Sequence, residues 1–307
     1  MEPRRVLSHP ALRYSVYRFV LQRLPLETAY ALTHRFASVF SRFDPEGLKQ
    51  AKNTLGKDRL PDTFQEMTQQ IESAEILDTF VLANRRHRVS VTLNGIEQVK
   101  MLRRKNHKII LTTGHYGRYW PVGLGLNRAG LVSKAVIKDR LDVNAFGLPE
   151  AEFHFRRWKL HVMQDVFGCL FHTTNQHPRH LAQILLHHPI ISLFDVPAES
   201  NSMRATPLTF FNRSIRANSN PARLAQIQDA YLVPFFNTGA SNGHFEYQFF
   251  EPLRARDFTL AALNEQLFAI LCAQIDKNPA AWWLWPALPH FLTETNDSIK
   301  QHTPATS

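Results

Sequence analysis

Three short runs constrain this chain more than anything else in it: Ile109-Ile-Leu-Thr-Thr, Ile190-Ile-Ser-Leu-Phe and Tyr231-Leu-Val-Pro-Phe-Phe. Each is apolar almost without interruption, the pattern of a strand covered on both faces. The stretches between them read as helices at 119–127, 152–158, 174–186 and 221–228. Gly130 marks a helix end. Further strands are expected at 89–93 and 131–137, with an outer strand at 245–251. A helix is expected over 95–103 and a strong final one over Leu260–Lys277. Strand and helix in alternation predict an α/β fold, a mixed or mostly parallel sheet flanked by helices. Ahead of it, 10–42 reads as one or two helices broken at Pro25, and 61–86 has irregular helical spacing. Residues 43–58 read as a connection with a short helix near Leu48. The expected organisation is a helical region over 1–85, an α/β core over 86–292 and a polar tail over 293–307.

Charge narrows the partners without choosing one. Lys and Arg number 36 against 26 Asp and Glu, a formal charge of +10. Such a surface favours an acidic partner. The basic residues are scattered and no recognition motif is visible, so nucleic acid is not the expected one. The two cysteines, Cys169 and Cys272, are too few for a disulfide framework and are expected to be packed. No Cys/His cluster suggests a structural metal. No signal peptide is apparent, and no stretch of 18 uncharged apolar residues occurs, so no spanning helix is expected. Residues 10–42 either lie along a membrane surface or pack on the protein.

The chemistry is expected at His115, in the run Thr113-Gly-His-Tyr-Gly-Arg-Tyr-Trp120. It follows an apolar strand, and open α/β sheets place their sites at the carboxyl ends of their strands. Gly114 and Gly117 allow close backbone approach, leaving room for a carbonyl group and for amide donors. Arg118 either binds an anionic substrate or starts the next helix as an outward charge. Asp195 follows its own apolar strand and should emerge at the same end, where it either orients His115 or caps a turn. Glu150 and Glu152 are weaker alternatives.

The histidine run resembles the motif of the lysophospholipid acyltransferase superfamily, especially the branch that acylates bacterial lipid A precursors. In that branch an acid follows the histidine five positions later; here that position is Trp120. An indole cannot accept the imidazole proton, so Trp120 is expected to pack behind the loop, with Asp195 as the best replacement acid. A second block, from Pro207 through Phe210-Phe211-Asn212-Arg213 and Ala222-Arg-Leu-Ala to Val233-Pro-Phe, resembles the later motifs of the same branch. Asn212 stands where glycine is usual, and Asn also tolerates a left-handed turn. Ser219 and Asn220 are expected to cap the helix that follows. Trp282, Trp283 and Trp285 line an acyl groove, meet a membrane interface or serve as core residues.

The resemblance implies transfer of an acyl group from a thioester of acyl carrier protein or coenzyme A to an amine or hydroxyl, with no bound cofactor or metal. The acceptor would be a lipid or small molecule. His115 and Asp195 would be the catalytic pair, and Arg118, Tyr119, Arg213 and Arg216 would bind substrate. No nucleophile elbow is present, so direct attack by the acceptor is expected rather than an acyl-enzyme. The broken N-terminal apolar pattern and the +10 charge make the expected location cytoplasmic, peripheral on the inner face of a bacterial inner membrane. The other reading left open is a non-catalytic lipid-binding or assembly protein on the same scaffold.

Overall fold

The computed structural model describes residues 10–41, 45–137, 147–168, 170–172, 179–198 and 205–292. The expected tail at 293–307, Cys169 and the start of the helix expected at 174 lie outside them.

The chain opens with helices α1 (Pro10–Phe19), α2 (Leu26–Arg35), α3 (Ala37–Phe40), α4 (Pro45–Leu55) and α5 (Phe64–Arg85). Pro25 sits just before α2, where its missing N–H costs nothing. Helix α4 is longer than the short element expected near Leu48. Next come β1 (Ser90–Asn94), α6 (Ile96–Arg104), β2 (Ile109–Thr113), α7 (Val122–Arg128) and β3 (Lys134–Ile137). Then follow α8 (Glu150–Phe167), β4 (Leu170–His172), α9 (Arg179–His187) and β5 (Ile190–Leu193). The hairpin β6 (Ala205–Phe210) and β7 (Arg213–Asn218) leads into α10 (Asn220–Gln228). The chain continues through β8 (Tyr231–Ser241), β9 (His244–Phe249), β10 (Leu253–Arg254) and α11 (Leu260–Lys277).

The sheet runs β1-β9-β8-β2-β5-β3-β4, with β10 added against β8. Pairing is parallel except where β8 meets β9 and β10. The expected α/β class therefore stands. Helices cover both faces, which is why all five residues of β2 are buried and its sequence carries no polar alternation. The strand expected at 245–251 is not outermost: β9 lies between β1 and β8, and β1 forms the edge. Its hairpin partner is set by Asn242-Gly243, both at positive φ, the two-residue turn whose twist matches that of antiparallel strands. Phe211 and Asn212 make the same kind of turn between β6 and β7, so Asn212 does replace glycine. β4 was not expected; three residues are too few to show a period.

The N-terminal helices are not a separate body. Tyr17, Leu21, Tyr30 and Phe40 share one buried cluster with Ile109, Leu111, Val233 and Phe245 of the sheet. Among the described residues no helix is long and apolar enough to cross a membrane. Helix α1 and the turn after it leave Leu12, Phe19 and Val20 exposed, the last two at 52% and 51%.

Candidate active site

The site follows from strand register. β2 and β5 are parallel neighbours with Ile110 opposite Ile190 and Thr113 opposite Leu193. Two residues beyond that last pair, the two strands deliver His115 and Asp195 side by side. His115 Nδ1 lies 2.8 Å from Asp195 Oδ1, and the backbone N–H of His115 donates to Oδ2 at 2.7 Å. A carboxylate can only accept, so Nδ1 carries the proton and Nε2 keeps its lone pair. Nε2 has no partner among the described residues, and the imidazole is 26% exposed while Asp195 is fully buried. This is the arrangement of a histidine oriented as a general base.

The third donor to Asp195 comes from the far end of the chain. Trp282 Nε1 donates to Oδ2 at 2.9 Å, so three N–H groups converge on one buried carboxylate. The neighbouring Trp283 ties down the loop: its backbone N–H donates to His115 O and its indole N–H to Gly117 O, both at 2.8 Å. Trp285 Nε1 donates to Pro279 O at 2.8 Å. Trp282 and Trp285 are buried, and their T-shaped contact at 4.7 Å builds a wall rather than an open groove. The sequence offered acyl contact, a membrane interface or core packing for these tryptophans. Two of them hold the site together.

Backbone space decides the glycines. A Cβ at Gly114 would lie 2.9 Å from Asp195 Oδ2 and 3.1 Å from Leu271 Cδ1, so any side chain would push the carboxylate off the histidine. Gly117 has φ +59, and its Cβ would meet Asn237 Oδ1 at 2.7 Å. Asn237 sits at a bulge in β8. It accepts from the Arg118 N–H at 3.1 Å and donates to Gly239 O and Glu246 O.

These bonds correct one expectation. The loop's amides were expected to help receive an oxyanion, yet all four from His115 to Arg118 are committed. Their acceptors are Asp195, Gly114 O, Ala281 O and Asn237 in turn. None of the four is left to receive an oxyanion.

Trp120 packs as expected, 1% exposed in the core behind the loop, with the Lys159 ammonium 5.6 Å from its ring. Its indole N–H finds no partner among the described residues. Tyr119, half-buried, makes a T-shaped ring contact with His115 at 5.9 Å.

Arg118 has a different job from the one expected. It is 4% exposed and pairs with Asp78 of α5 at 3.0 Å, with its guanidinium also over the rings of Tyr30 and Phe245. Tyr30 donates its hydroxyl to the same Asp78 oxygen, and Tyr247 donates to Arg118 O at 2.8 Å. Burial pushes the Asp78 carboxyl up from its ordinary 3.8 to about 6 against the pull of Arg118. Sequence reading missed Asp78 because it lies inside a long helix with no strand end to flag it.

Arg213 donates to Asn53 O at 2.6 Å and anchors α4. Arg216 is exposed, and its guanidinium has no partner among the described residues. Its strand β7 runs beside the chain just past Asp195: Ala198 N–H bonds Arg216 O, and Asn218 N–H bonds Val196 O. Ser219 occupies the cap position of α10 but makes no capping bond; Asn218 Oδ1 accepts from Asn220 N instead. Glu150 pairs with His154, and Glu152 with Arg13 and Arg156, so neither serves His115. Cys272 is part-buried, and burial raises its thiol to about 11. Among the described residues no cluster of His, Cys, Asp or Glu is fit to hold a metal.

Compared with known proteins, the chain matches no protein-family model and no curated protein.

Proposed function

We propose that this protein transfers an acyl group from a thioester, carried by acyl carrier protein or coenzyme A, to an amine or hydroxyl. The observation that carries the reading is the pairing of His115 Nδ1 with buried Asp195, which leaves Nε2 as an uncommitted base in a ring 26% exposed. The resemblance of the His115 run to lysophospholipid acyltransferases supports the same class. Asp195, on the neighbouring strand, takes the role that the motif acid would have had at Trp120.

In this mechanism Nε2 accepts the acceptor's proton as its oxygen or nitrogen bonds to the thioester carbonyl carbon. The C–S bond then breaks, and the imidazolium returns the proton to the leaving thiolate, giving ester or amide plus free thiol. Asp195 stays ionised and stabilises the imidazolium between these steps. Arg216 is the proposed partner of the oxyanion, because the loop amides are spent and its guanidinium is free among the described residues. Tyr119 borders the acceptor. The protein works peripherally on a membrane, at the cytoplasmic face of a bacterial inner membrane. The exposed Phe19 and Val20, with the Arg18 guanidinium 5.3 Å from the Phe19 ring, support that placement.

The test is a mass-spectrometric panel of carrier-protein and coenzyme A thioesters against amine and hydroxyl acceptors, lipid-linked acceptors included. Acylated product and free thiol should appear in equal amounts. Arg216→Ala should lower kcat more than it raises KM, since the oxyanion exists only in the transition state. Thioester binding with no product from any acceptor, the outcome expected of a non-catalytic lipid-binding scaffold, would refute the reading.

A further inference from the structure

A cavity of about 470 Å³ lies on the other side of the histidine loop, and the His115 ring does not line it. Its walls come from Tyr116–Arg118, from Met67, Ile71 and Ala74 of α5, from the β8 bulge, and from the end of α11. Its size is that of a small-molecule site.

The lining carries two cations, Arg118 and Lys277, and no carboxylate. Asp78 stands behind Arg118 and engages it through one nitrogen. His34 lines the same space, and its pKa is lowered, by burial first and then by the charge of Arg118, which keeps it a neutral hydrogen-bonding group. A second observation is independent of charge. Asn278 lines the cavity beside Gln274, and its buried Oδ1 has no hydrogen-bond partner among the described residues. Buried carboxamides are nearly always paired, so an unpaired one on a cavity wall is a group waiting for a ligand. The opposite wall, Met67, Ile71 and Ala74, is apolar.

We infer that this cavity is a binding site for a small organic anion with an apolar body. Its carboxylate or phosphate meets Lys277 and Arg118, a hydroxyl on it donates to Asn278 Oδ1, and its apolar part packs on α5. The site is distinct from the His115 centre, and it shares only the loop backbone with it.

The test is titration calorimetry of the full chain with 4-hydroxyphenyl phosphate, 4-hydroxybenzoate and neutral 4-hydroxybenzyl alcohol, each carrying a hydroxyl for Asn278. At least one anion should bind saturably at one site, and 4-hydroxybenzyl alcohol should bind at least about tenfold more weakly, the factor expected when a charge-assisted bond is missing. Phosphate and carboxylate forms are told apart by which of the two anions binds more tightly. Lys277→Ala, at an exposed position, and Asn278→Ala should each weaken the anion by about tenfold. His115→Ala should leave its affinity unchanged, so loss of turnover in that variant does not bear on this site. Equal binding of 4-hydroxybenzyl alcohol, unaltered binding in Lys277→Ala and Asn278→Ala, loss of binding in His115→Ala, or no saturable binding of either anion would each overturn the inference.

Discussion

Asp195→Asn is the sharpest perturbation the site offers, because the amide has the carboxylate's shape with half its acceptors. Oδ2 receives two donors that cannot change, the His115 backbone N–H at 2.7 Å and the Trp282 indole N–H at 2.9 Å. If the Asn NH₂ took that place, two buried N–H groups would lose their acceptor, at roughly 1–3 kcal/mol each. The amide oxygen therefore stays there, and the NH₂ faces His115 Nδ1. Nδ1 must then accept, so the ring proton moves to Nε2 and the base is blocked. Asp195 is fully buried, and water cannot substitute for it. Transfer should fall by about 10²–10⁴, the range for losing a general base. Stability should change by no more than about 2 kcal/mol, as charge-assisted bonds become neutral ones. Nitrogen-15 NMR of the imidazole reads the tautomer and a thiol-release assay the rate. A variant that holds its proton on Nε2 and still turns over within about threefold of the parent would refute the reasoning.

Trp282→Phe keeps an aromatic ring but removes the N–H that donates to Asp195, and should destabilise the fold by about 1.5–3 kcal/mol in urea unfolding; a loss below about 0.5 kcal/mol would mean the bond is not formed. The Asp78 carboxyl is raised in the folded state, so its stabilising contribution is complete below its unfolded value of 3.8 and is lost as pH rises through about 6. Parent stability relative to Asp78→Asn should therefore decline across that window by on the order of 3 kcal/mol, and a flat difference would contradict the buried, strained carboxylate. Replacing both Phe19 and Val20 by Ser should weaken binding to anionic vesicles at least about tenfold without changing stability, since both are half-exposed; undiminished vesicle binding would remove α1 from the membrane contact.

The parallel core was legible because its strands are buried on both faces, and such strands write their position as uninterrupted apolar runs. That signal also placed His115 and Asp195 correctly, since each follows its run by the same two residues, counted from Thr113 and Leu193, and the strands turn out to be neighbours in register. What the sequence could not show was which strands are adjacent, so the contact of the pair remained one alternative among several. Trp282 and Asp78 were hidden for a related reason: their partners lie 87 and 40 residues away, and an inward Trp or a mid-helix Asp has no local pattern that names its partner. Arg118 reads in the sequence as a contact for the substrate of the His115 centre, whereas its bond to Asp78 turns it onto the second cavity, which the His115 ring does not line. The edge of the sheet was misplaced because alternation in β9 reports one exposed face, not an exposed edge.

The central claim is that His115 is the base of an acyl transfer, and a single-turnover experiment tests it directly. Parent and His115→Ala proteins are mixed in excess over a labelled thioester with the acceptor found by the panel, and acylated product is followed by mass spectrometry. The ring is partly exposed and its loop is held by Trp283 and Asn237 through backbone atoms, so the variant should remain folded by circular dichroism. The account predicts that its transfer rate drops by about 10²–10⁴ at saturating acceptor. A folded His115→Ala protein that transfers the acyl group at the parent rate would contradict it.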